Sequence, residues 1–107
     1  MEIKVRAWHE LNKEMVYPKI GGLSSGNILN LFSPEFIMMG IGLPDKNGKE
    51  IYVGDLVQSS ETGIIYQVSF EDGKIEGFHE NYVFHYRKLS NGIVVGNIFE
   101  NPEMLKR

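Results

Sequence analysis

Along most of this chain apolar and polar residues alternate with a period of two, the pattern of strands that turn one face to a core. The clearest run covers residues 64–71. Ile64, Tyr66, Val68 and Phe70 share one face, and Ile65, Gln67, Ser69 and Glu71 the other. Asp72-Gly73 follows, the dipeptide favoured in a two-residue hairpin turn, so residues 74–78 are expected to pair back antiparallel. Residues 82–89 alternate again, with Tyr82, Phe84 and Tyr86 on one face and His85 and Arg87 on the other. After Asn91-Gly92, residues 93–99 are apolar on both faces, which predicts a central strand or one that meets a partner.

In the first half, residues 2–8 put Ile3, Val5 and Ala7 on one face and Glu2, Lys4, Arg6 and Trp8 on the other, a half-buried strand. The polar run 9–14 leads to Met15-Val16-Tyr17 and a stop at Pro18, which gives a two-stranded ribbon. Three glycines in residues 21–26 predict an exposed, weakly ordered loop. Residues 27–32 fit neither period, so strand and short helical turn both stay open. Residues 36–43, apolar and interrupted by Gly40 and Gly42, predict a strand.

The stretch 42–57 then reverses the chain. Pro44 fixes its own φ, and Asp45-Lys46-Asn47-Gly48 has the composition of a type I turn closed by a residue at positive φ. Pro44, Gly48 and Gly54 set backbone geometry there, and Asp45 and Asp55 are expected to bond to the backbone. At the C-terminus Asn101-Pro102 has the form of a short helical turn's start. Eight or nine short strands separated by turn signals indicate a mainly β barrel or sandwich rather than an α/β fold.

Composition narrows the chemistry. A chain of 107 residues suits one domain, here divided into an N-terminal β subdomain (1–45) and a second half (46–107). The absence of cysteine excludes disulfides, thiolate metal sites and a cysteine nucleophile. No apolar h-region opens the chain, and no apolar run approaches the roughly 20 residues of a membrane span, so a cytoplasmic protein without membrane contact is expected. The net charge is −3, and no segment is strongly basic; residues 64–89 carry three Lys and Arg against four Asp and Glu. That distribution does not favour a binder that works by neutralising phosphates.

Three blocks carry a resemblance. They are Val5-Arg-Ala-Trp-His with Met15-Val-Tyr, the stretch 42–57, and Val95-Gly-Asn-Ile-Phe-Glu-Asn-Pro-Glu-Met-Leu. In this order they resemble the YopX family of phage and prophage proteins over nearly the whole chain, and the central block is the most specific. The family usually has an acidic residue at His9 and at Val53, and threonine at Ile41. The resemblance implies an N-terminal β-ribbon joined to an SH3-like barrel half, phage origin and action inside a bacterial host. It implies no reaction and no catalytic residues. Gly54-Asp55-Leu56-Val57 also looks like the opening of other SH3-like barrels, among them KOW domains that bind RNA or ribosomal and transcription proteins.

Candidate chemistry is sparse. His9, His79 and His85 with Glu80 raise a metal site, but His79-Glu80-x4-His85 is no known ligand spacing, and neither metal nor cofactor is expected. Asp45, Glu50 and Asp55 lack a partnered nucleophile, so catalysis is not expected. Tyr82, Phe84 and Tyr86 read first as barrel core and second as a stacking face. The candidate binding surface is Trp8, His85, Tyr86 and Arg87. The expected protein is a non-catalytic interaction module that self-associates and binds a host or phage protein, with nucleic-acid binding as the alternative.

Overall fold

The computed structural model describes residues 4–18 and 24–105. The chain forms two compact units, Met1–Gly40 and Ile41–Arg107, and the boundary falls inside one strand. Among the described residues the fold is mainly β, with nine strands and one α-helix.

In the first unit β1 (Val5–His9) pairs antiparallel with β2 (Glu14–Val16) on one side. On its other side lies the opening half of β3 (Ile37–Pro44), in the register Val5 to Met39 and Ala7 to Ile37. The expected half-buried strand is buried on both faces. Val5 and Ala7 join a small core, while Arg6 and Trp8 are also covered because each polar tip has a partner. Trp8 Nε1 donates to Glu10 Oε2 at 2.8 Å, and Arg6 Nε lies 3.4 Å from Met38 Sδ.

Residues 27–32 resolve the open choice as helix: α1 spans Ser25–Leu31. Ser24 Oγ accepts from the Asn27 N–H at 3.1 Å, and Asn27 Oδ1 accepts from the Ser24 N–H at 3.1 Å. This reciprocal box satisfies two amides of the first turn, and it needs Ser24, Ser25 and Gly26 inside or at the edge of the helix rather than in a loop. The remainder of the expected glycine loop, residues 21–23, lies outside the described residues. The helix buries Ile28 against Val5 and Ala7.

The second unit holds the larger core. After β4 (Glu50–Tyr52), strands β5 (Asp55–Ser59), β6 (Ile65–Glu71), β7 (Lys74–His79), β8 (Tyr82–Phe84) and β9 (Gly92–Asn97) form a curled half-barrel sheet in the order β8-β7-β6-β5-β9. Ile41, Ile51, Val57, Val68 and Leu89 fill its inside. The β6–β7 hairpin turns at Asp72 (φ 51°) and Gly73 (φ 77°), the left-handed pair of a type I′ turn.

Three expectations for this half are corrected. Tyr66 and Val68 are buried, but Phe70 is 56% exposed. Residues 82–89 are not one strand: β8 ends at Phe84, and a 3-10 helix spans Tyr86–Asn91 because Tyr86 and Leu89, three apart, both turn toward the core. Strand β9 is an edge strand, not a central one. Its outer side is instead closed by the turn after Pro44, where Lys46 N–H donates to Gly92 O at 2.9 Å and Asp45 receives Val94 N–H.

Candidate binding groove

The hairpin β6–β7 and the 3-10 helix Tyr86–Asn91 enclose an open groove of about 700 Å³. Phe70, Ile75 and Tyr86 supply its apolar surface, and Lys74, Arg87 and Lys88 stand around it with His85 and Glu76. Its formation follows from strand lengths. The Val68 carbonyl is the acceptor for the Gly54 N–H at 2.8 Å, so β6 runs on past its β5 neighbour and carries Phe70 beyond the core. The opposite wall is fixed by Tyr86, whose hydroxyl donates to the Ile41 carbonyl at 2.7 Å. Gly42 at φ 81° lets the backbone turn beneath that hydroxyl.

Polar groups in the groove are unevenly paired. His85 Nδ1 lies 3.5 Å from Glu76 Oε2. The exposed side chains of Lys74, Arg87 and Lys88 have no partner among the described residues. Three cations therefore face solvent beside one carboxylate that already has a neighbour.

Of the four residues expected at a binding surface, His85, Tyr86 and Arg87 converge here. Trp8 belongs to the first unit and is only 4% exposed, so it offers no surface. Phe70, Lys74, Ile75, Glu76 and Lys88 line the groove and lie outside that expected set. The aromatic set divides as well: Tyr82 is 60% exposed, while Phe84 packs on Tyr66 with ring centroids 4.5 Å apart.

The turn residues form a separate constellation around backbone amides. Asp45 Oδ1 accepts from Asn47 and Lys49 N–H at 2.9 and 2.8 Å, and Gly48 adopts φ 87°. Asp55, fully buried, accepts from Tyr52 N–H at 2.8 Å across a bend whose Gly54 has φ 98°. Burial would raise the Asp45 pKa, but the amides of Val94, Lys49 and Asn47 outweigh it and hold the carboxyl below its ordinary value. Glu10 is also lowered, by Lys13 first and Trp8 second.

The histidines are dispersed. His9 Nδ1 accepts from Asn12 N–H at 3.1 Å, and His79 Nδ1 lies 3.0 Å from the Ile65 carbonyl. Among the described residues no three histidines or carboxylates gather as metal ligands. No described helix is long and apolar enough to cross a membrane.

A small, mainly β chain with two compact units and a groove at one hairpin is thus the class of protein in view. The family model described as YopX protein matches residues 22–106, and the chain belongs to the YopX family. It is similar to protein EF1440 from Enterococcus faecalis, whose crystal structure aligns over 99% of both chains with 26% identity and a TM-score of 0.69. No curated protein matches it.

Proposed function

We propose that this chain is a non-catalytic interaction protein, encoded by a phage or prophage and acting in the cytoplasm of a bacterial host, that engages another protein through the groove. The observation that carries this reading is the groove's makeup: exposed Phe70 with half-buried Ile75 and Tyr86, beside three cations that have no partner among the described residues. A concave, largely apolar lining edged by a few charged groups is the makeup of a binding site. An enzyme site would instead bring a nucleophile and base together, or a carboxyl with a shifted pKa. Asp45 and Glu10, two carboxyls held below their ordinary pKa, lie outside the groove lining, and each is bonded to structural partners: Asp45 to the amides of Asn47, Lys49 and Val94, Glu10 to Trp8 and Lys13. Phage origin and cytoplasmic action are supported by the family resemblance.

Self-association belongs to the same reading. Strand β9, whose apolar residues first suggested it, has Asp45 and Lys46 on its outer edge. Strand β8 has a strand partner on one side among the described residues and exposes Tyr82 and Val83, so a second copy would pair there. Light scattering at micromolar concentration tests this, and a 12 kDa species alone would sink it.

The main test is affinity capture from infected host lysate, with and without nuclease, using the native chain and Arg87→Glu. The expected result is a protein retained after nuclease treatment by the native chain and lost from the variant. Equal capture by both would remove the groove from the interaction.

A further inference from the structure

We infer that the groove takes a short acidic peptide segment in which an apolar anchor residue is flanked by carboxylates. This rests on the groove being a binding site, and it adds the chemistry of the occupant. The argument is charge complementarity set against the rest of the chain. Overall Asp and Glu outnumber Lys and Arg, 14 to 11, yet the groove lining reverses that balance with Lys74, Arg87 and Lys88 against Glu76. Three cations against one carboxylate leave the lining with an excess of positive charge to meet a ligand, and the Glu76 carboxylate, 3.5 Å from His85 Nδ1, faces the imidazole rather than the cations.

The apolar part of the lining sets the second requirement. Phe70 at the hairpin and Ile75 and Tyr86 beside it offer a surface that a leucine or aromatic side chain would cover, and such an anchor supplies most of an interface's affinity. Desolvation around that anchor then strengthens the surrounding charge pairs.

A nucleic acid fits less well. Glu71 and Asp72 are exposed at the hairpin turn next to Gly73, and Glu76 is within the groove. A continuous phosphate backbone would have to pass these carboxylates, whereas a segment with a few acidic residues need meet only the cations. Three cations are also too few to track a strand whose binding depends on many phosphate contacts.

Fluorescence anisotropy with the full chain tests this. The probes are a labelled peptide with a central tryptophan flanked by a single glutamate on each side, the same peptide with glutamine for glutamate, and single-stranded oligothymidylate. The glutamate peptide is expected to bind, and to bind about tenfold more weakly to Arg87→Glu/Lys88→Glu, with the affinity falling as salt rises. Phe70→Ala is expected to weaken both peptides. Thermal melts establish that the variants are folded. Equal affinity for the glutamine peptide overturns the acidic requirement and leaves the groove as a binding site. Tighter binding of oligothymidylate overturns it in favour of nucleic acid. If no peptide binds, the inference fails, while the groove itself is judged separately by the lysate capture.

Discussion

Asp45 Oδ2 accepts a hydrogen bond of 2.9 Å from the N–H of Val94, a residue 49 positions further along the chain. The same carboxylate builds its own turn with Oδ1, so one side chain both shapes the β3–β4 connection and closes the outer edge of β9. Edge strands left open invite pairing with other chains, and here the blocking group is a buried, charged acceptor.

Removing that acceptor leaves three amides without it. Asp45→Ala is expected to cost about 2–4 kcal/mol, because hydrogen bonds to charged groups are the stronger class and the donors are partly buried. Urea denaturation measures it. A cost under about 0.5 kcal/mol would mean that water replaces the carboxylate freely.

The lowered pKa of Asp45 makes part of this stability depend on pH. Its folded pKa lies below the unfolded value of about 3.9, so the contribution is complete above that value and is lost as pH falls through the folded pKa. The stability gap between the native chain and Asp45→Asn should therefore be constant around neutral pH and narrow in acid below about pH 4. A gap that widens in acid would contradict the direction of the shift.

Two glycines separate backbone strain from crowding. Gly48 has φ 87°, and a Cβ there meets nothing within 4 Å, so Gly48→Ala should cost only the left-handed penalty of about 1 kcal/mol. Gly92 has an ordinary φ of −106°, but its Cβ would lie 2.5 Å from Val57 Cγ1 and 2.7 Å from the Gln58 carbonyl oxygen. Because that oxygen belongs to the neighbouring strand's backbone, Gly92→Ala should cost about 3 kcal/mol. Thermal melts of both variants give the comparison, and equal costs would argue against so close an approach of β5 and β9.

Much of the fold was legible because its signals are local. Asp72-Gly73 and Asp45 to Gly48 name their turns, and the period of two names most strands. What was missed depended on tertiary partners. The 3-10 helix at Tyr86 imitates strand alternation, although the three-residue spacing of Tyr86 and Leu89 is a signal the sequence does contain. The apolar residues of β9 read as a central strand or one that meets a partner, and nothing local reveals that a turn 49 residues earlier lies on its edge. The groove was half legible: the near-even charge count of residues 64–89 hides that folding draws Lys74, Arg87 and Lys88 together and leaves Glu71, Asp72 and Glu80 outside the lining.

Phe70 gives the sharpest test of the groove's origin. By alternation it shares a face with Tyr66 and Val68, and a phenylalanine in a core costs about 3–5 kcal/mol when truncated. The structure instead places it past the last bond between β6 and the Gly54 backbone, more than half exposed. Phe70→Ser is therefore expected to change stability by no more than about 0.5 kcal/mol, the range of ordinary surface substitutions. Val68→Ser, two residues back and fully buried, supplies the contrast and should lose several kcal/mol through the cavity and the buried hydroxyl. Chemical denaturation of the two variants under one set of conditions decides the matter. A loss at Phe70 comparable to that at Val68 would return Phe70 to the core and remove the groove's apolar wall.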